Sequence, residues 1–338
     1  MKQIWIPRTG GPDVLELRES PDPEPAAGEV RVRVKAAGVN FADVVMRMGL
    51  YRGAGKVPCV PGYEVAGRIE AAGAGVAGLS VGDPVVVGLR SGGYSDVAVV
   101  PESQAMRVPA NVSLEAAATL PVNYVTAWLM LVWLGNVRRR ERVVIHSAGG
   151  GVGLAAMQIA RWRGAEIIGL ASAWKHERLR EAGVDHCIDY TAEDFAPRVM
   201  ELTGGRGADV VLDSSGGDSF RKSYRCLAPL GRLFLYGAAG LAPARTRRLL
   251  PALSWWLRLP RFRPLRLMME NRAVFGVHVG QLWERRDVLQ EIMEDVLYLT
   301  SDGTLRPVVD RTFPLEEAAA AHAYLQDRRN FGKVLLTP

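Results

Sequence analysis

Residues Arg142–Gly153 read RVVIHSAGGGVG, and this stretch decides the fold. Val143, Val144 and Ile145 are β-branched and suit a short, buried strand. The strand empties into a glycine loop. LAAMQIARWRG (Leu154–Gly164) follows with apolar residues at helical spacing. A glycine loop set between a strand and a helix is the context of dinucleotide binding. Gly150 puts no side chain in the way of a pyrophosphate. Gly151 and Val152 open a helix whose first N–H groups face outward, and Gly153 lets that helix pack closely on the strand. Ala148 replaces the usual first glycine, so the reading rests on the flanking strand and helix.

Downstream the same alternation continues. EIIGLAS, HCIDY, ADVVLDSS and GRLFLYG read as strands, with KHERLREAG a clear helix among the segments between them. Strands alternating with helices predict a parallel, doubly wound α/β sheet, a Rossmann domain over residues 123–300. A sixth strand is expected at Ala273–Val279 and a long helix near Asp287–Leu299. Upstream the period changes. VRVRVKAAGVN alternates at Val30, Val32 and Val34, and VAGRIEAAG, DPVVVG and YSDVAVV are further short strands broken by Gly and Pro. Residues 1–122 therefore read as a β-barrel-like domain, completed by residues 301–338, where strand, helix and strand return.

The 338 residues leave room for two domains, and 48% apolar with 23% charged content is that of an ordinary globular chain. MKQIWIPRTGG lacks the basic and apolar regions of a secretory signal, and no apolar run reaches about 18 residues. Cys59, Cys187 and Cys226 are too widely spaced for a disulfide framework or a metal knuckle, which favours a reduced, cytoplasmic setting.

The end of the second Rossmann strand selects the cofactor. An NAD-preferring fold usually places an acid there for the ribose 2′-hydroxyl. Here the strand ends Gly169-Leu170-Ala171-Ser172 and Lys175 follows. A missing carboxylate beside a cation suits the 2′-phosphate of NADPH, with Tyr190 able to add a hydroxyl. Alternatively, Lys175 and His176 simply begin a solvated helix.

AAGVNFADVVMRMGLY, VPGYEVAG, GVAGLSVGDPVVV, LPVNYVTAW, the glycine loop and GKVLLTP occur in order along the chain. With these motifs the chain resembles the medium-chain dehydrogenases/reductases of the quinone oxidoreductase branch. LPVNYVTAWLMLVWLGN, ASAWKHERLREAGVDHCIDY and SWW…NRAVFGVHVG look most like the sub-branch of the vesicle amine transport (synaptic vesicle membrane) protein. The resemblance implies a GroES-like catalytic domain, a Rossmann domain, NADPH and a homodimer. It also implies that Thr126, Gly237 and the backbone of Phe275 and Val277 lie along the cofactor, and that Asn330 closes over it.

Zinc-dependent members of that family carry Cys where Asn40 stands, and His before the Glu of a GHE motif where this chain has Gly62-Tyr63-Glu64. Neither Asn nor Tyr is a normal zinc ligand, and the five histidines show no paired spacing, so no catalytic metal is expected. The chemistry then suits an acceptor that takes hydride without a Lewis acid, a quinone or conjugated enone. Asn40, of the GVN motif, is the first candidate for a hydrogen bond to the developing oxyanion, and Tyr51 the second. Asp43 is expected to cap a helix, and Val45 stands where many quinone oxidoreductases have tyrosine.

Charge is unevenly spread. Ser219–Met269 carries eleven Lys and Arg and no Asp or Glu, against +6 for the whole chain. Trp255, Trp256, Leu257, Leu259 and Phe262 sit among the later arginines. Two readings stand: an insertion that walls the substrate site or packs in a dimer, and an interfacial segment against anionic lipid. Nucleic acid is not indicated, since no binding module accompanies the charge. The corresponding function classes are an NADPH-dependent reductase and a catalytically weak NADPH-binding protein that acts at a membrane surface or with a protein partner.

Overall fold

The computed structural model describes residues 1–50, 56–241 and 249–338. Strands β1 (Lys2–Trp5), β2 (Glu16–Glu19) and β3 (Glu29–Val39) precede helix α1 (Phe41–Arg47). β4 (Glu64–Ala72), β5 (Pro84–Gly88), β6 (Val97–Pro101) and β7 (Ala105–Arg107) follow, then α2 (Leu114–Ala117) and α3 (Val125–Trp128). The alternating region runs β8 (Arg142–His146), α4 (Gly151–Trp162), β9 (Glu166–Leu170), α5 (His176–Glu181), β10 (His186–Ile188), α6 (Phe195–Leu202), β11 (Ala208–Asp213), α7 (Asp218–Arg225) and β12 (Leu227–Leu235). The remainder comprises α8 (Leu249–Leu257), α9 (Pro264–Glu270), β13 (Ala273–Gly276), α10 (Arg286–Ser301), β14 (Val309–Pro314), α11 (Ala318–Gln326) and β15 (Lys333–Thr337).

Two compact units form. The first holds Met1–Asn123 and Met293–Pro338; the second holds the described residues from Tyr124 to Ile292. In the first, a seven-stranded sheet has the order β14-β15-β3-β4-β5-β7, with β6 also paired to β3. The alternation of β3 explains its place at the centre: Val30, Val32 and Val34 are buried. The intervening Arg31 and Arg33 turn out to Glu70 (3.1 Å) and Asp22 (2.6 Å). β15 returns antiparallel on to β3, which is why the C-terminal tail completes this unit.

The second unit is a parallel sheet in the order β10-β9-β8-β11-β12-β13. Val143, Val144 and Ile145 of β8 are wholly buried, as a strand covered on both faces requires. The chain winds one way from β8 to β9 and the other from β8 to β11. The loops after β8 and β11 therefore flank the topological switch point, where ligands bind in such sheets. The fold is thus GroES-like barrel plus Rossmann sheet. The sixth strand is shorter than its alternation suggests. Val277 still donates to Leu235 O (2.9 Å), but the 3-10 turn Val279–Gln281 then carries the chain away. Among the described residues one helical stretch, Leu114–Trp133, is long and apolar enough to cross a membrane. However, 78% of its apolar window is buried, as in a core helix.

Candidate active site

In the second unit the glycine loop is held by close approach. A Cβ on Gly153 would lie 2.3 Å from Ser147 O, so no other residue fits the packing of α4 on β8. Gly150 is the extended N-cap of α4 and makes no side-chain cap bond, so the first N–H groups of Gly151, Val152 and Gly153 have no capping side chain above them. Across the switch point Ser147 Oγ meets Ser214 Oγ at 3.1 Å.

β9 itself ends without an acid, and the nearby Asp189 carboxylate after β10 is taken up by Thr191 N (2.9 Å), Thr191 Oγ1 (2.6 Å) and the backbone of Ala173. Ser172 Oγ donates to Tyr190 Oη (3.3 Å) and the His176 ring bonds Ala171 O (2.9 Å). Lys175 is only 8% exposed, its ammonium 4.9 Å from the Trp174 ring centre. Lys175 is therefore no part of a solvated helix face. Ser172, Lys175 and Tyr190 gather in one place, at the edge of the sheet that also carries the glycine loop. Gly237, after β12, leaves room for Ser214, whose carbonyl a Cβ would meet at 2.8 Å. Thr126 is buried in α3, and Phe275 stacks on Phe234 with ring centres 4.9 Å apart.

Asn40 and Asn330 belong to the first unit, and Tyr51 lies outside the described residues. Asn40 is 7% exposed. Its Nδ2 donates to Glu64 Oε1 (2.9 Å) and, at the limit of range, to Gly38 O (3.5 Å), while its Oδ1 accepts from Lys333 Nζ (2.6 Å). Lys333 also bonds Glu64, whose second oxygen accepts from Val122 N (2.8 Å). Both amide hydrogens thus point into the protein. Asn330 Nδ2 likewise donates to Gly332 O (2.9 Å).

Asn40 is the N-cap of α1, and Asp43, three residues inside it, serves the cap from the N3 position of a capping box, accepting from Asn40 N. Asp43 is fully buried and accepts three hydrogen bonds. They come from Asn40 N (2.8 Å), Gly62 N (3.0 Å) and Tyr94 Oη (3.1 Å). Beyond it the chain of donors continues. Arg47 Nη1 lies 3.1 Å from His322 Nδ1, and His322 Nε2 lies 2.9 Å from Tyr94 Oη. A guanidinium only donates, so Nδ1 accepts and the ring hydrogen sits on Nε2. Every donor in Arg47–His322–Tyr94–Asp43 therefore points the same way. Burial holds His322 well below the usual histidine range and pushes the Asp43 carboxyl up to about 7 against its three donors. The unpaired spacing of the histidines gave no sign that His322 is held by Arg47 and Tyr94 in the core. The partners Arg47, Tyr94 and Lys333 were invisible because they lie between 51 and 293 residues from the groups they contact.

A model for the alcohol dehydrogenase GroES-like domain matches residues 26–110, and one described as zinc-binding dehydrogenase matches residues 182–336. The chain is 39% identical over 333 residues to the synaptic vesicle membrane protein VAT-1 homolog of Rattus norvegicus, covering 97% of this chain and 82% of that one. It is 36% identical over 341 residues to a quinone oxidoreductase of Pseudomonas aeruginosa, covering 100% and 99%. The solved Escherichia coli quinone oxidoreductase complexed with NADPH superposes with a TM-score of 0.88 at 30% identity, covering 100% of both chains.

The chain belongs to the medium-chain dehydrogenase/reductase family, in its quinone oxidoreductase branch. The zinc in one model's description does not suit the residues here. The acceptor oxygens of Asn40 and Glu64 already hold the Lys333 ammonium, which would repel a second cation. Among the described residues no three His, Cys, Asp or Glu side chains converge as a metal set.

Proposed function

We propose that this chain is an NADPH-dependent, zinc-independent oxidoreductase that reduces a quinone or another α,β-unsaturated carbonyl compound. The observation that carries the reading is the end of β9, where the strand itself offers no acid, Asp189 is engaged by Thr191 and Ala173, and Ser172, Tyr190 and the buried Lys175 gather. A 2′-phosphate there would meet a cation and hydroxyls, where an NAD-type site would offer a carboxylate. The NADPH-complexed structure of one neighbour and the name of the Pseudomonas relative support it.

Bound at the glycine loop, NADPH supplies a hydride. The protein's share is placement and electrostatics. Gly150, Gly151, Val152 and Gly153 would hold the pyrophosphate at the N-terminus of α4. Thr126, Gly237, Phe275, Val277 and Asn330 are assigned to the cofactor by family resemblance. The amide of Asn40 is turned toward Glu64 and Gly38, so we assign it the anchoring of the β3–α1 corner in place of an oxyanion contact. Tyr51 remains the candidate hydrogen-bond donor to substrate. An acceptor that spreads negative charge on to its own oxygen asks no more of the site than this.

The test is steady-state NADPH oxidation across a panel of quinones and enones. Saturable NADPH binding without turnover selects the second reading, an NADPH-binding protein that works at a membrane surface or with a protein partner. That reading has its own observation. Trp256 and Leu257 on α8 are 60% and 69% exposed, Met269 on α9 is 85% exposed, and Arg258, Arg261 and Arg263 beside them form no ion pair among the described residues. The homodimer, likewise a proposal, rests on β13 being the open edge of its sheet.

A further inference from the structure

Trp255 behaves differently from its exposed neighbour. Its indole N–H donates to Ser215 O (3.2 Å), in the loop after β11. The ring lies on glycines. A Cβ on Gly216 would fall 2.2 Å from Trp255 Cζ2, and one on Gly240 would fall 2.9 Å from Cδ1. Gly216 also has φ +80, so glycine is required there twice over.

The seat is built from beneath. Asp213, wholly buried at the end of β11, accepts from Ser215 N (2.8 Å), Ser219 Oγ (2.7 Å) and Ser223 Oγ (2.7 Å). Ala239 N donates to Ser214 O and Gly240 N to Ser215 O, both at 2.9 Å, which zips the loop after β12 to the loop after β11. The neighbour of Ser215 in this loop is Ser214, the residue that reaches Ser147 of the glycine loop across the switch point. An indole is thus bolted through one carbonyl to the wall facing the pyrophosphate site, and the same helix carries the exposed Leu253, Trp256 and Leu257.

We propose that Trp255 is a positioning residue for the dinucleotide: it fixes the Ser214–Gly217 and Gly237–Gly240 loops and links occupancy of the crevice to the exposed α8–α9 surface. This rests on the NADPH reading above. Linkage is reciprocal, so a cofactor that steadies the two loops steadies α8 by the same factor.

The test measures NADPH affinity by dihydronicotinamide fluorescence and, separately, tryptic cleavage after Arg258 and Arg261 with and without NADPH. In the wild type NADPH slows cleavage several-fold. Trp255→Ala weakens NADPH roughly tenfold, the order of one lost buried hydrogen bond and its contacts, and abolishes the protection. Trp255→Phe, which keeps the ring and loses the N–H, falls between. Gly216→Ala, which pushes a methyl into the indole, reproduces Trp255→Ala without touching the tryptophan. An unchanged melting temperature without cofactor separates positioning from general unfolding. Wild type that binds no NADPH overturns the functional reading. Wild type that binds while Trp255→Ala binds within twofold, or keeps its protection, overturns this inference alone.

Discussion

The Lys333 ammonium hydrogen-bonds the Glu64 carboxylate where both side chains are sealed from water. Removing one partner leaves a buried charge short of its counterion, which costs about 3–5 kcal/mol. Lys333→Met should destabilise the first unit by that order, even though Asn40 Nδ2 and Val122 N still serve Glu64. Adding Glu64→Gln should restore part of the loss, giving a coupling of about 1–3 kcal/mol in a double-mutant cycle. Urea unfolding read by amide exchange in β3 measures it. Additive effects would show that the pair is not energetically coupled.

Lys175→Glu should weaken NADPH and leave NADH almost unchanged. A carboxylate at a buried position beside Ser172 and Tyr190 would repel a 2′-phosphate, at a cost of about 1–3 kcal/mol. Titration of both cofactors by fluorescence decides it. Equal losses for the two would remove Lys175 from phosphate reading.

The glycine loop, the alternating Rossmann region and the valines of β3 were legible because their information is local: period, glycine and β-branching act within a few residues. Asp43 shows where this stops. Its sequence neighbours suggest a cap, but its burial and its Gly62 and Tyr94 partners come from chain folded against it. Asn40 shows the same limit. The GVN motif marks the residue, while the direction of its amide is set by Glu64 and Lys333, 24 and 293 positions away. Lys175 ran the other way, since a charged residue at a helix start reads as solvated and only packing reveals that it is buried.

His322 and Asp43 pull the pH dependence of the first unit in opposite directions. His322 has its pKa held well below 6.5 by burial, so the unfolded chain takes up a proton that the folded one refuses, and stability falls on acidification below about 6.5. Asp43 has its pKa raised from 3.8 to about 7, so the folded chain keeps a proton that the unfolded one has lost, and its contribution grows as pH falls through that window. In the wild type the two oppose each other as pH falls below about 6.5. His322→Gln leaves Asp43 alone. The variant should be less stable throughout, yet gain up to about 1.4 kcal/mol per pH unit on acidification relative to wild type. Amide exchange of β3 against pH reads this, and parallel slopes for the two proteins would refute it.

β13 presents its outer edge through particular residues. In a parallel strand alternate N–H groups face opposite neighbours. Val277 N donates inward to Leu235 O, so proline at Val277 would break the sheet itself and prove little. Val274, one parity away, faces the open edge. Val274→Pro should therefore leave the fold intact and convert a dimer to monomers, as light scattering at micromolar concentration would show. A wild-type monomer, or a variant that remains dimeric, would place the interface elsewhere.

The basic segment can be tested for lipid binding with the residues the fold leaves outside. Trp255 is tied to Ser215 and is the wrong probe. Trp256, Leu257, Leu265, Met268 and Met269 are exposed among arginines, the composition of a surface that meets a partner. Arg258, Arg261 and Arg263, without ion pairs among the described residues, supply attraction to anionic headgroups, about 1 kcal/mol each near the surface and screened by salt. Sedimentation with phosphatidylserine vesicles at low salt should carry the wild type down, and Trp256→Ala with Met269→Ser should leave the protein in the supernatant. Binding that resists salt would point to apolar insertion without the arginines. A wild type that never sediments would assign the face to a protein partner or to the substrate wall.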